Sequence, residues 1–192
     1  MKTYPVSLNL EGRTCLVIGS GPLIDEKATN LLAAGARICR REQFDPADLP
    51  GNWLIVADVD EDQAERIFKS AEESGKFVNI VDKPRFCSFI LPSIGRMGDL
   101  SLAVSTAGKS PSLAALIRQE FERRYAGYGE LLDILGETRE EIKQKLPNYA
   151  DRKCFYRGLL ESSVLDRIRG QEPSVFRKLI DDKLEEYQNA CH

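Results

Sequence analysis

The sequence predicts an α/β fold in its first half, a parallel sheet with crossover helices, followed by a region that is helical throughout. Three observations carry this expectation. The apolar run Thr14 to Ile18 (TCLVI) ends on Gly19 and passes directly into a stretch with helical periodicity. Two more β-rich runs, Trp53 to Ala57 (WLIVA) and Phe77 to Val81 (FVNIV), flank an amphipathic segment; strands alternating with helices at such short spacing need parallel pairing with crossovers. From Pro111 onward, apolar residues recur at helical spacing among Glu, Lys and Arg.

Each element has its own reason. Residues 22–34 carry helical periodicity through Leu23, Lys27, Leu31 and Ala34, and Ala36 to Cys39 is a candidate second strand. Asp60 to Ser74 reads as a helix with Ala64, Ile67, Phe68 and Ala71 facing inward. After Asp82 the pattern changes. Two short apolar segments, Ser88 to Leu91 and Leu100 to Val104, lie either side of the turn region Gly95 to Asp99, which predicts antiparallel or inter-subunit pairing. Pro111 suits a first helical turn with Ser110 as its N-cap, and Leu113, Leu116, Ile117 and Phe121 form the expected buried stripe. Further helices are expected over 129–146, 151–168 and 173–189. The expected division is a sheet domain over 1–83, a dimerisation segment over 84–124 and an all-helical C-terminal domain over 125–192.

Bulk properties narrow the function classes. A chain of 192 residues with 42% hydrophobic and 30% charged residues can bury a core and is not a disordered polymer. Its net charge of −3 argues against a protein built to grip nucleic-acid phosphates. No apolar run approaches the roughly 20 residues of a membrane span, and the start MKTYPVSLNLEGR carries no signal-type apolar segment. The five scattered cysteines, with no CxxC pair, read as reduced thiols, so a cytoplasmic protein is expected. The single histidine is His192, which leaves Ser-His-Asp and Cys-His catalysis without a base and zinc without a His/Cys cluster. Gly108-Lys109-Ser110 is not a phosphate loop, because Ala103 stands where that motif needs its first glycine.

Three segments have chemical potential. Gly19-Ser20-Gly21, with Pro22 and Leu23 opening the helix, joins strand to helix in the way that aims backbone N–H groups and a helix dipole at a pyrophosphate, so the sheet is expected to be Rossmann-like. The same turn also serves as an ordinary strand-to-helix link, since Ile24 replaces the third glycine of the full fingerprint. About 20 residues on, where an acidic ribose partner is expected, the chain reads Cys39-Arg40-Arg41-Glu42; Arg40 or Arg41 meets a 2′-phosphate or forms a solvated charged face. Asp82, directly after the strand FVNIV, is either a catalytic or metal-contacting carboxylate at the ligand edge of the sheet or a turn former before Lys83-Pro84. The segment Ser105-Thr106-Ala107-Gly108-Lys109-Ser110 offers hydroxyls, a lysine and a helix start to an anionic ligand, or simply caps the helix.

Taken in order, YPVSLNLEGRTCLVIGSG, WLIVADVDED, VNIVDKP, SFILPSI and STAGKSP followed by LAALIRQEFE resemble the siroheme synthase dehydrogenase/ferrochelatase family over residues 4–125. The resemblance implies a homodimer that oxidises precorrin-2 to sirohydrochlorin with NAD+, some members then inserting Fe2+ or Co2+ into the tetrapyrrole. It places the nucleotide turn on Gly19, Ser20, Gly21, Pro22 and Leu23, the residue tied to both activities on Asp82, and the substrate turn on Ser105, Thr106, Gly108, Lys109 and Ser110. The chain departs from the family between Arg40 and Gln43, where a strand and a helix are absent and the adenosine side of the cleft is shortened. Two alternatives follow from that departure: a member that binds or metallates a tetrapyrrole without NAD, and a non-catalytic dimeric scaffold.

Overall fold

The structure is a computed structural model that describes residues 3–161 and 171–190, with side chains described to residue 187. Contacts divide the chain into two compact units, residues 1–91 and 92–192.

The first unit holds four parallel strands, β1 (Thr14–Ile18), β2 (Arg37–Arg41), β3 (Asn52–Ala57) and β4 (Phe77–Ile80), in the order β2-β1-β3-β4. Two helices cover its opposite faces. α1 (Pro22–Ala33) lies over Cys15, Val17, Leu54, Val56 and Val81, and α2 (Glu61–Glu73) over Leu16, Ile18, Ile55, Ala57, Val78 and Ile80. Alternate residues of β1 and β3 therefore feed two cores, and both strands read as continuous apolar runs because neither face meets water. α2 buries Ala64, Ile67 and Ala71, with Phe68 packed at the margin, as its periodicity predicted.

α1 buries Ile24, Ala28 and Leu31, not the face through Leu23, which is exposed. The predicted face was one residue out of register because Lys27 was counted in the stripe in place of Ala28. No strand or helix intervenes between β2 and β3. A single 3-10 turn (Pro46–Asp48) crosses back, and Phe44 and Leu49 from this link pack on the α2 face.

The first unit runs to Leu91, eight residues past the boundary expected at 83. Residues 84–91 pack on the sheet: the buried Cys87 Sγ lies 3.2 Å from the Ile80 N–H, and Ser88 Oγ accepts the Val78 N–H at 2.9 Å. The Asn79 side chain donates to the Phe89 carbonyl at 2.9 Å. Residues 88–91 therefore form no strand of a hairpin, contrary to the antiparallel half of the expectation. The hairpin pairs β5 (Ser93–Met97) antiparallel with β6 (Leu100–Val104), and Gly95 lies inside β5. There a Cβ would press on the Glu122 and Arg118 side chains, a close approach that places α3 on the hairpin.

The second unit adds α3 (Pro111–Arg124), α4 (Tyr128–Lys145), α5 (Tyr149–Leu159) and α6 (Pro173–Ala190). The part of the expected 151–168 helix over 162–168 lies outside the described residues. Ile134, Ile142, Leu146, Phe155, Leu159, Phe176, Ile180 and Leu184 form the core of α4, α5 and α6. On α3 only Ala114 is fully buried, while Leu113 and Leu116 are 48% and 62% exposed, so half of the predicted stripe faces outward. At Gly129 a Cβ would stand 2.4 Å from the Met97 carbonyl oxygen, so α4 meets the hairpin backbone directly.

Candidate functional site

The glycine turn sits where β1 ends. Gly19 N–H donates to the Arg41 carbonyl and Asp58 N–H to the Ile18 carbonyl, both at 2.9 Å, which pins the turn between β2 and β3. A Cβ on Gly19 would lie 2.3 Å from the Asp58 carbonyl oxygen, and its φ of +102° is one that side chains resist. Gly21, at φ +113°, precedes α1, and a Cβ there would meet nothing within 4 Å. No side chain caps the start of α1, and Pro22 occupies its first turn.

The strand order makes this turn the switch point of the sheet. The chain leaves β1 toward β2 on one side and returns as β3 on the other, the arrangement that opens a crevice at the carboxyl ends of the strands. Open space at Gly21, free helix N–H directions and the positive end of the α1 dipole together fit the pyrophosphate of a dinucleotide. Ile24, the departure from the three-glycine pattern, is fully buried against Val17, Leu54 and Val56, so the helix seats on the sheet through a large side chain.

The end of β2 is cationic. Arg40 Nη2 donates to the Gly19 carbonyl at 3.1 Å and pairs with Asp25 Oδ1 at 2.7 Å, so this side chain lies against the turn. Arg41 turns away to Asp48 at 2.9 Å, and that carboxylate raises its pKa.

Asp82 follows β4 at the same carboxyl edge as the glycine turn, two strands away. It is exposed and holds φ +57°, a left-handed conformation that aspartate tolerates better than most residues. It is therefore a turn former in geometry, and its place on the ligand edge agrees with the other possibility read from the sequence. Its neighbour Lys83, which the sequence did not single out, donates Nζ to the Val59 carbonyl at 2.8 Å and so ties the loop after β4 to the loop after β3. That second loop starts α2 through Asp60, whose carboxylate accepts the Gln63 N–H at 2.9 Å; this bond holds Asp60 below the usual carboxylate range.

The 105–110 turn belongs to the second unit. Its hydroxyls are engaged with its own backbone: Ser105 Oγ accepts the Ala107 N–H at 3.3 Å, and Thr106 Oγ1 accepts the Ser110 N–H at 3.1 Å. Ser110 Oγ caps α3 by accepting the Leu113 N–H at 3.2 Å. Ala107 and Gly108 take successive positive φ values, 54° and 79°, and Gly108 and Lys109 are exposed. The capping possibility for Ser110 is thus realised, and Ser105, Ala107, Gly108 and Lys109 are the exposed residues of the turn. Among the described residues no group of three or more His, Cys, Asp or Glu side chains is gathered to hold a metal ion. No helix among them is long and apolar enough to cross a membrane.

Comparison with known proteins finds three family matches along the chain. Residues 38–93 match a family described as "Putative NAD(P)-binding", residues 98–124 "Sirohaem biosynthesis protein central" and residues 127–184 "Sirohaem synthase dimerisation region". The dimerisation description falls on the helical segment and not on residues 84–124, where that role was expected. Siroheme synthase 2 of Aeromonas salmonicida (strain A449) is 33% identical over 211 aligned positions, covering 98% of this chain and 44% of that protein. Siroheme synthase of Nitrosococcus oceani is 32% identical over 196 positions, covering 90% of this chain and 42% of that protein. The chain therefore spans less than half the length of these relatives. A solved structure titled precorrin-2 dehydrogenase superposes with a TM-score of 0.71 at 22% identity, over 94% of this chain and 100% of that one, which shows the shared fold. With three family segments in sequence order, relatives aligned along nearly all of its length and the same fold, the chain belongs to the siroheme synthase N-terminal module family.

Proposed function

We propose that this chain oxidises precorrin-2 to sirohydrochlorin with NAD+. The observation that carries the proposal is the shared sheet edge: the open glycine turn at the switch point and Asp82 after β4 face the same crevice side of one parallel sheet. When bound, the dinucleotide supplies the hydride acceptor. The chain's own residues do the rest. Gly19, Ser20, Gly21, Pro22 and Leu23 seat the pyrophosphate against the start of α1. The Asp82 carboxylate accepts the proton that leaves the reduced macrocycle as its hydride is lost, so two electrons and two hydrogens leave the substrate together. Lys109 and the backbone around Gly108 receive the carboxylates of the tetrapyrrole rim, with Ser105, Thr106 and Ser110 holding that turn in shape.

The protein acts as a cytoplasmic homodimer assembled through its second unit, a role supported by the dimerisation description of residues 127–184. Asp82 also strips pyrrole protons when Fe2+ or Co2+ is the second substrate. The short link between β2 and β3 favours a second reading, a member that handles a tetrapyrrole without NAD.

The test is anaerobic. Precorrin-2 is mixed with the protein, with and without NAD+, and the absorption spectrum followed; sirohydrochlorin with Fe2+ or Co2+ forms a second arm. NADH formation that Asp82→Asn abolishes supports the proposal, and asparagine is chosen because it tolerates the left-handed backbone. Metal insertion without NADH formation would leave the second reading.

A further inference from the structure

We propose that Lys83 is a positioning residue for the reaction, holding the Asp82 turn in register with the glycine turn. This inference rests on the dehydrogenase reading above and names the residue through which its base is held in place. Asp82 needs such support. It is exposed, and a non-glycine residue at φ +57° keeps that conformation only where its surroundings over-determine it.

The backbone of Lys83 bonds within residues 80–87. Its N–H donates to the Ile80 carbonyl at 3.3 Å, and its carbonyl accepts the Phe86 N–H at 2.9 Å and the Cys87 thiol at 3.3 Å. These bonds shape the turn without tying it to the glycine turn. The half-buried Lys83 side chain supplies that tie, donating Nζ to the Val59 carbonyl at 2.8 Å, 24 residues earlier in the chain. Val59 follows Asp58, whose N–H donates to the Ile18 carbonyl at 2.9 Å and whose carbonyl oxygen leaves no room for a Cβ on Gly19. Contact therefore runs from the glycine turn through Asp58 and Val59 to Lys83 and Asp82. A lysine suits the place, because a hydrogen bond from an ionised donor is about twice as strong as a neutral one. Its ammonium also acts on Asp60, whose carboxyl is held low first by the Gln63 N–H and further by this charge. The ion pair of Arg85 with Glu61 links the same two segments, but its side chains are 66% and 52% exposed, and such pairs contribute little.

The measurement pairs steady-state kinetics of NADH formation from precorrin-2 with hydrogen exchange of the intact chain before any cofactor is added. Lys83→Met keeps the apolar stem and removes the charged donor. It should lower kcat about tenfold to a hundredfold and leave KM for NAD+ within about twofold, since the glycine turn is intact and the base is displaced. The amides of Lys83 and Phe86 should exchange about tenfold faster, the scale of one charge-assisted hydrogen bond. Arg85→Ala, which removes a cation two residues on, should leave kcat and exchange in place. An unchanged kcat in Lys83→Met overturns the positioning role, even where exchange is faster, because the tie is then structural only. A loss carried by KM alone overturns it as well, and so does an equal loss in Arg85→Ala. In each of these cases the dehydrogenase reading stands. No NADH from the unaltered chain, or full activity in Asp82→Asn, removes that reading of the site and the role of Lys83 with it. If Lys83→Met fails to fold, Lys83→Gln, neutral and one bond shorter, is judged by the same outcomes.

Discussion

Gly19 and Asp82 are both held in positive-φ backbone at the ends of strands, and they got there for different reasons. Gly19 is forced by contact, since any side chain would enter the Asp58 carbonyl 2.3 Å away. Gly19→Ala should therefore cost about 1–3 kcal/mol of stability and weaken dinucleotide binding, read as a lower Tm and a raised Kd. Asp82 faces no such wall, so Asp82→Asn should keep the Tm of the unaltered chain while losing dehydrogenase activity. Both positions were legible in the sequence because the end of an apolar run fixes where a strand stops and hence where a ligand edge lies. Arg40 was not. A charged residue on an edge strand looks the same in sequence whether it faces water or folds back onto a glycine turn 21 residues earlier. The hydroxyls of Thr106 and Ser110 were similarly ambiguous, since capping and ligand binding call for the same residue types.

Strands and helices followed the sequence where apolar runs or strong amphipathicity marked them, and failed where small residues carried the packing. Ala28 and Ala114, together with Ile24, are buried positions that periodicity passed over in favour of Leu23, Leu113 and Leu116. The Gly129 approach to Met97 has no sequence signature at all, and Gly129→Ala should lower the Tm of the second unit by the equivalent of about 1–3 kcal/mol. The cap of α2 gives a pH signature. The Gln63 N–H keeps the folded-state pKa of Asp60 below its unfolded value, so its contribution is present above the ordinary carboxylate range, around pH 4, and is lost as pH falls through the depressed folded value. Tm measured from neutral to acidic pH should fall less steeply in Asp60→Asn than in the unaltered chain. An identical slope would remove Asp60 from the acid response.

At the scale of the molecule, the two units have separate cores, and the buried cysteines report on the first. Burial pushes the Cys15 and Cys87 thiols up, so both stay protonated and shielded at neutral pH, while Cys154 is exposed in the second unit. Thiol labelling of the native chain should modify Cys154 before Cys15 and Cys87, and the latter two only as the first unit opens; early labelling of Cys15 would contradict the packing of the sheet. The shortening between β2 and β3, visible in the sequence as a missing strand and helix, leaves β2 as the edge of a four-stranded sheet with Arg40 beside the glycine turn. Whether the shortened unit still holds a dinucleotide is the point on which its function turns. Hydrogen exchange of the intact chain, with and without NAD+ and NADP+, tests this most directly. The amides of Ser20, Gly21 and Leu23 and those at the end of β2 should slow when dinucleotide is added, with the second unit's helices unchanged. Unaltered exchange at the glycine turn under saturating dinucleotide would contradict the assignment.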